Sequence, residues 1–221
     1  GIMQAYVGEM AQLLGGECRL VEYGSGSSRK TRILLDHSPE LQCYIPVDIS
    51  REHLQRSAQE LALAYPHLNV LPVCADYTRE FTLPPLRGDI SRTVVYFPGS
   101  TIGNFPPDAA VAFLAGIAES CGAGGGLLIG VDLHKPTAVL ESAYNDAQGV
   151  TAEFNLNILV RINRELDGDF DLNQWRHKSF YNLHEKRIEM HLVSLRDQQV
   201  NIGHAAICFN KHETIHTESS Y

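Results

Sequence analysis

Hydrophobic positions follow two alternating periods through the first 135 residues. Residues 2–14 place apolar side chains at helical spacing, and that pattern predicts an amphipathic helix. Five short apolar runs follow, and segments with helical spacing separate them, including one that ends near residue 64 and one at 108–120. The runs predict strands, and they lie within residues 18–28, 41–50, 68–78, 92–105 and 125–134.

This alternation predicts an α/β fold with a doubly wound, Rossmann-like parallel sheet. Right-handed crossovers would bring the carboxyl ends of the strands to one edge, where ligands bind. The pattern changes after residue 135: one or two helices are predicted, then alternating positions from Phe180 to Leu195 predict antiparallel strands. We therefore expect a Rossmann-like core over 1–135 and an inserted or C-terminal α+β lobe over 136–221.

The turn after the first predicted strand carries Gly24 and Gly26 before a helix whose N-cap we place at Ser27 or Ser28. Glycines allow a sharp turn, and the free N–H groups of the helix attract an anionic group. Asp48 follows 22 residues after Gly26, at the offset of an acid that binds ribose hydroxyls. The alternatives are a plain turn at the glycines and a helix-capping role for Asp48.

A dinucleotide fingerprint needs a third glycine where this chain has Arg29, so a nicotinamide cofactor is disfavoured. The shorter motif suits a single nucleoside with a small charged tail, such as S-adenosylmethionine. Asp76 and Tyr77 end the third predicted strand, where they could bond the adenine amino group and cover the ring. Their alternative role is to cap a turn. The first domain is thus predicted to bind S-adenosylmethionine.

Charge and composition narrow the partners. The chain has 26 acidic residues and 18 Lys and Arg, a formal charge of −8, which disfavours nucleic acid and anionic membranes as partners. No apolar run approaches the roughly 20 residues needed to cross a bilayer. The five cysteines are scattered without paired spacing, so we expect reduced thiols and a cytoplasmic location. The chain opens inside a helical pattern and stops in a β-like run, so we expect it to be part of a longer protein.

Residues 212–216 match the HExxH motif of zinc proteases, but their β-branched surroundings do not favour a helix. On a strand, His212 and His216 would lie roughly 13 Å apart, too far to share a metal. No metal is therefore predicted. His177, His184 and His191 recur at intervals of seven among alternating neighbours, and we interpret them as surface or packing residues on strands.

Seven stretches make a more specific resemblance. In order along the chain they are EYGSGSSRKTRILLD, YIPVDIS, CADYT, YFPGSTIGNF, GGLLIGVDLHK, AYNDAQGVTAEFNLN and IHTESSY. Together the chain resembles the histidine-specific α-N-methyltransferase family, whose founding activity opens ergothioneine biosynthesis. The resemblance implies methylation of the α-amine of free histidine, to the trimethylated betaine, by a monomer that uses S-adenosylmethionine and a small-molecule substrate.

The resemblance also implies roles for individual residues. Around S-adenosylmethionine it places Gly24, Lys30, Asp48, Asp76 and Tyr77, with Lys30 meeting the cofactor carboxylate. Residues implied on the substrate side are Gly99 beside the reacting amine, Asn104 and Tyr144 at the substrate carboxylate, Glu218 and Ser220 at the imidazole, and Phe154 and Met190 lining the pocket. A core role is the alternative for Phe154 and Met190. The family's upstream segment, whose tyrosines close over histidine, has no counterpart in this chain.

Three other functions remain open from the sequence. The chain could methylate another free amino acid such as tryptophan, bind the cofactor without activity, or act as a nicotinamide-dependent oxidoreductase. A pair of polar side chains that binds an imidazole ring would favour methylation of histidine over methylation of tryptophan.

Overall fold

A computed structural model describes residues 1–26, 28–85 and 90–221. The chain divides into two compact units. The first unit comprises Gly1–Ile102 and Pro107–Asp132, and the second comprises Gly103–Pro106 and Leu133–Tyr221. Ser27, one of the two predicted helix caps, lies outside the described residues.

The first unit is a parallel sheet with connecting helices. Its strands run in the order β3-β2-β1-β5-β6, and β4 also pairs with β2. The elements are α1 (Ile2–Leu14), β1 (Cys18–Tyr23), α2 (Arg29–Leu35), β2 (Cys43–Asp48), α3 (Arg51–Ala64), β3 (Asn69–Val70), β4 (Val73–Cys74), β5 (Arg92–Phe97), α4 (Pro107–Cys121) and β6 (Gly126–Ile129). This order confirms the predicted α/β, Rossmann-like fold.

The sheet forms because its central strands are mostly apolar on both faces, with Arg19 and Glu22 as the buried charged residues of β1. Every residue of β1 is buried, and so are the first five residues of β2, as expected of parallel strands covered by helices. Leu20, Tyr44 and Tyr96 from three strands pack with Leu34 of α2 and Leu61 of α3. The strand order reverses between β1 and β5, and such a switch point opens a crevice at the carboxyl ends of the strands.

One prediction for this unit is wrong in detail, and the predicted N-cap position of α2 at Ser28 is confirmed. The third predicted strand is two short strands, because the pairing of β2 with β3 and β4 would set Pro72 opposite Pro46, and neither proline has an N–H for the ladder. Ser28 lies at the N-cap of α2 but has left-handed backbone angles and makes no side-chain cap. The free N–H groups of this helix end are therefore not covered by the Ser28 hydroxyl.

The second unit has an α+β arrangement, as predicted. Its elements are α5 (Thr137–Tyr144), α6 (Val150–Glu165), β7 (Trp175–Asn182), β8 (Arg187–Ser194), β9 (Gln198–Ile202), β10 (Ala205–Phe209) and β11 (Thr214–Ser220). They form an antiparallel sheet β11-β8-β7 and a separate hairpin β9-β10. Leu159, Phe170, Trp175, Leu192 and Val200 make its core.

The predicted alternation from Phe180 to Leu195 is a hairpin of β7 and β8. A turn over residues 183–186 interrupts it and contains His184, so the prediction of a strand for that histidine is wrong. His177 and His191 do lie on β7 and β8. His212 sits in a turn with φ 73°, and His216 lies on β11, so the HExxH stretch is not a helix.

All five cysteines are free. Across the described residues, none of the helices has the length and apolar character needed to cross a membrane.

Candidate active site

The glycine turn lies where β1 ends, at the carboxyl edge of the sheet in the first unit. Gly24 has φ 70°, an angle that favours glycine, and its amide donates to the carbonyl of Val47 at 2.8 Å. A Cβ atom on Gly24 would stand 3.5 Å from the ring of Tyr77. The turn therefore joins β1 to β2, and the absence of a side chain at Gly24 lets the Tyr77 ring lie close to its backbone.

Asp48 connects this turn to the end of β2. Its Oδ2 accepts from the amide of Gly26 at 3.4 Å, and its Oδ1 accepts from the amide of Ser50 at 2.9 Å. Both the turn-stabilising role and the position beside the glycines are thus present. Binding of ribose hydroxyls by Asp48 stays a prediction.

Glu22 lies beneath the glycine turn, buried at 3% exposure. Its Oε2 accepts from Thr31 Oγ1 of α2 and from the Tyr44 hydroxyl of β2, both at 2.5 Å. Burial raises the pKa of Glu22 to about 7, although these two hydrogen bonds act to lower it. Glu22 was not predicted as a site residue, although an acid inside a mostly apolar strand was a visible signal.

The aromatic side of the edge is formed around Tyr77. Its ring stacks on Tyr23 with centroids 5.5 Å apart, and meets Phe97 edge-on at 5.9 Å. Asp76 accepts from the amide and the hydroxyl of Thr78, which lowers the pKa of its carboxyl, so the turn-capping role is present. Tyr77 thus offers a ring face beside the glycines, and adenine binding by Asp76 and Tyr77 stays a prediction.

Lys30 and Gly99 come together at the end of β5. The Lys30 ammonium donates to the carbonyl of Pro98 at 3.5 Å, immediately before Gly99. A Cβ atom on Gly99 would stand 2.8 Å from Thr101 Oγ1, so this loop admits no larger residue without a shift. The first unit therefore gathers the six predicted cofactor residues and Gly99 at the carboxyl edge of β1, β2, β4 and β5.

These residues fit S-adenosylmethionine. A turn without side chains at Gly24, a carboxylate at Asp48, an aromatic face at Tyr77 and a cation at Lys30 match a nucleoside with a zwitterionic tail.

In the second unit, Asn104 and Glu218 line the same cavity. Its volume is about 360 Å³, and its other lining residues are Pro106, Arg187, His216, Thr217, Ser219 and Tyr221. The cavity lies between the residue-104 turn and β11, so two predicted substrate residues far apart in sequence share one space. The Asn104 amide is the predicted donor to substrate in this cavity, and the Glu218 carboxylate is the predicted acceptor.

Burial raises the pKa of the Glu218 carboxyl. No described residue hydrogen-bonds this carboxylate, so it is available to a donor that enters the cavity. Arg187 is engaged elsewhere: its guanidinium donates to Glu189 at 2.9 Å and to the Tyr221 hydroxyl at 2.6 Å. Hydrogen bonds from His191, Arg187 and Asn182 overcome burial and hold the pKa of Glu189 at about 2.

Ser220 lies two residues beyond Glu218 on β11, after a register shift between His216 and Glu218. Its Oγ would stand 3.4 Å from a Cβ atom on Gly103. Glu218 and Ser220 are therefore both on the strand, as predicted, and Ser220 faces the turn that carries Asn104.

The three remaining predicted residues lie on separate elements of the second unit. Tyr144 is half-buried at the end of α5. Phe154 is 64% exposed on α6, so a core role does not fit it, whereas Met190 is 3% exposed on β8 and is part of the core. Met190 pairs directly with Glu218 across β8 and β11. Substrate contact by each of the three stays a prediction.

Glu189, His191 and His216 form a cluster that was not predicted from the sequence. Their possible metal-ligand atoms lie within 4.8 Å of one another. The two imidazole rings are stacked with centroids 4.6 Å apart and planes inclined by 11°. Nitrogen lone pairs lie in the ring plane, so stacked rings direct them side by side and do not converge on one ion. Phe180 stacks on the far side of His191 at 5.3 Å, so the arrangement favours a packed column of rings.

Comparison with known proteins adds a family. Residues 1–221 match the family described as histidine-specific methyltransferase, SAM-dependent. The chain is 40% identical to the histidine N-alpha-methyltransferase of Mycolicibacterium smegmatis over 191 residues, which cover 85% of this chain and 59% of that protein. It is 40% identical to the enzyme of the same name from Mycobacterium tuberculosis over 205 residues, with 91% and 63% covered.

A more distant relative is ergothioneine biosynthesis protein 1 of Schizosaccharomyces pombe. It is 32% identical over 171 residues, which cover 74% of this chain and 22% of that protein. The chain spans less than two thirds of the length of each of these three relatives.

Proposed function

Since the chain belongs to the family of histidine-specific, SAM-dependent methyltransferases, we propose that it transfers methyl groups to the α-amine of free L-histidine. The product of three transfers would be the trimethylated betaine, and the pathway served would be ergothioneine biosynthesis. The observation that carries this proposal is the cavity in the second unit that Asn104 and Glu218 both line. It presents a donor for the carboxylate of histidine and an acceptor for its imidazole.

Six residues of the first unit would hold S-adenosylmethionine. Asp48 would accept from the ribose hydroxyls, Tyr77 and Asp76 would bind adenine, and Lys30 would meet the carboxylate, with Gly24 and Gly26 giving close backbone approach. The bound cofactor supplies a methyl group on a cationic sulfur. We accordingly propose residues 1–135 as the cofactor-binding domain and 136–221 as the substrate-binding lobe.

Orientation is the main contribution of the protein. Asn104 and Tyr144 would hold the substrate carboxylate and Glu218 with Ser220 the ring, which fixes the position of the amine nitrogen. Gly99 stays the residue predicted to lie beside the reacting amine. The nucleophile is the neutral amine, and an α-amine is mostly protonated at physiological pH. We propose that it loses its proton to water before binding, with no base assigned. The ring of Tyr144 could stabilise the cationic product.

We further propose a monomer acting in the cytoplasm on a small molecule, without a nucleic-acid or membrane partner. The charge of −8 disfavours polyanions. Methylation of tryptophan in place of histidine is less well supported, because an indole has one N–H donor and no ring acceptor for the Ser220 hydroxyl.

Asn104 tests the proposal in the natural full-length protein. We expect histidine to be methylated and histamine, which has no carboxylate, to be a poor substrate. Asn104→Ala should raise the KM for histidine about 10-fold or more, because one charge-assisted hydrogen bond is lost, and leave S-adenosylhomocysteine affinity nearly unchanged.

Two results would contradict this proposal. One is histamine turning over as well as histidine. The other is a thermal shift with NADH that exceeds the shift with S-adenosylhomocysteine. That result would support a nicotinamide-dependent oxidoreductase instead.

A further inference from the structure

No side chain of helix α5, which ends at Tyr144, is fully buried, and Leu140, Glu141 and Tyr144 are half-buried. Hydrophobic packing of this helix is therefore limited, although the proposed function requires Tyr144 to be held against a substrate carboxylate. Hydrogen bonds add to its positioning.

Strand β7 supplies three of them. His177 Nε2 lies 2.9 Å from the carbonyl of Tyr144. The carbonyl of Ser179 accepts from Asn145 Nδ2 at 3.1 Å, and the amide of Tyr181 donates to Glu141 Oε1 at 2.9 Å. The Ser179 carbonyl and the Tyr181 amide are backbone groups on the free edge of β7, which is the end strand of its sheet. This edge and the His177 side chain therefore hold the last turn of α5.

His177 is itself held from the other side by Asn155. Asn155 is fully buried on α6, and its Nδ2 lies 3.0 Å from His177 Nδ1 and 3.2 Å from the carbonyl of His191. A path of hydrogen bonds thus runs from β8 through α6 and β7 to the end of α5. It connects four elements of the second unit.

Chemistry at the two ends fixes the direction of this path. A carbonyl can only accept, so the group facing His191 O must be the NH2 of Asn155, and the nitrogen facing Tyr144 O must carry hydrogen. Since the Asn155 NH2 also faces His177 Nδ1, that nitrogen must be an acceptor. In this arrangement Nδ1 of His177 accepts and Nε2 carries the hydrogen.

We infer that Asn155 and His177 are positioning residues that fix the end of α5, and with it Tyr144, for the substrate side of the proposed site. This inference rests on the proposed function. The connection between α5 and α6 is fixed as well, because Asp146 accepts from the amides of Val150 and Thr151 at the start of α6. The Asp146 turn and the hydrogen bonds through Asn155 and His177 together hold the backbone of Tyr144.

Three variants of the natural full-length protein test the inference. His177→Phe keeps an aromatic ring but removes both hydrogen bonds, and should raise the KM for histidine about 10-fold with S-adenosylhomocysteine affinity unchanged within about 2-fold. His177→Gln offers a donor and an acceptor without a ring, and should recover most of the loss. His184→Gln replaces the exposed histidine of the neighbouring turn, and should behave as wild type.

A second measurement does not depend on activity. Imidazole ¹⁵N spectra of the wild-type protein, assigned by the signal that disappears in His177→Gln, should place the hydrogen of His177 on Nε2. If His177→Phe does not fold, this spectrum and the His177→Gln kinetics decide the matter.

The inference is overturned by a wild-type KM in His177→Phe, by a His177→Gln variant as impaired as His177→Phe, or by hydrogen on Nδ1. Failure of the wild-type protein to methylate histidine would instead remove the proposed function, and the tautomer would still report on the hydrogen-bond path.

Discussion

The backbone amide of Tyr221 donates to the carbonyl of Gly103 at 2.7 Å, and this bond ties the end of β11 to the turn that carries Asn104. The Tyr221 hydroxyl accepts from Arg187, whose guanidinium also lies over the tyrosine ring at 5.4 Å. Two ends of the cavity that would hold a substrate are therefore joined through backbone contact as well as side chains.

Gly103→Ala tests this connection. A Cβ atom there would stand 2.9 Å from the carbonyl oxygen of Tyr221, so the turn must move away from β11. We expect the KM for histidine to rise about 10-fold, because Asn104 and Glu218 no longer hold their spacing, while S-adenosylhomocysteine affinity is kept. Steady-state kinetics and calorimetric titration measure the two quantities. Gly116→Ala on α4, where nothing lies within 4 Å of the added carbon, is the matched control.

Two substitutions at Asp48 distinguish its proposed binding of ribose hydroxyls from its role in stabilising the turn. Asp48→Ala should weaken S-adenosylhomocysteine binding by about 10- to 1000-fold, since charge-assisted bonds to two ribose hydroxyls are lost. Asp48→Asn keeps an acceptor for the Ser50 amide, so it should keep the turn and still lose part of the affinity. Calorimetry with Asp108→Ala as an exposed control measures the effect. Unchanged affinity in Asp48→Ala would remove the ribose assignment.

Glu218 and Ser220 should determine the choice of substrate. A site built around polar partners rejects analogues that leave them unpaired by up to roughly 10⁴-fold. Glu218→Ala should therefore lower kcat/KM for histidine sharply and narrow its advantage over tryptophan and phenylalanine. Specificity constants for the three amino acids are the measurement. A histidine preference that survives Glu218→Ala and Ser220→Ala together would mean that the ring is bound elsewhere.

Glu22 should make stability fall with rising pH. Its folded-state pKa of about 7 lies above the ordinary 4.5, so the folded protein holds this proton more tightly than the unfolded chain. The resulting stability is fully present below pH 4.5 and is lost as the pH rises through about 7.

Glu22→Gln removes this titration and keeps an oxygen for Thr31 and Tyr44. The advantage of the variant over wild type in free energy of unfolding should grow by about 2 to 3 kcal/mol from pH 5 to pH 8, since each pKa unit is worth about 1.4 kcal/mol. Urea unfolding at several pH values measures it, with Glu9→Gln on the exposed side of α1 as control. A difference between Glu22→Gln and wild type that does not change with pH would contradict the prediction.

Sequence alone predicted α1 with its observed limits, the strands β1, β2, β5 and β6, and the glycine turn with Asp48 beside it. These features depend on local properties. A helical or alternating period is set by neighbouring residues, and glycine tolerates the positive φ of Gly24 wherever the chain requires it. The split between β3 and β4 begins with a local feature, the missing N–H of Pro72. Its effect depends on the residue of β2 that lies opposite Pro72.

Tertiary structure decided which side chains meet. Asn104 lies in a turn and Glu218 on the last strand, and only the closure of β11 onto the Gly103 carbonyl gives them one cavity. His177 looked like a surface or packing residue because its neighbours alternate along β7. Its hydrogen bonds to Asn155 and Tyr144 come from two helices that approach the strand in space, and a one-dimensional period carries no information about such partners.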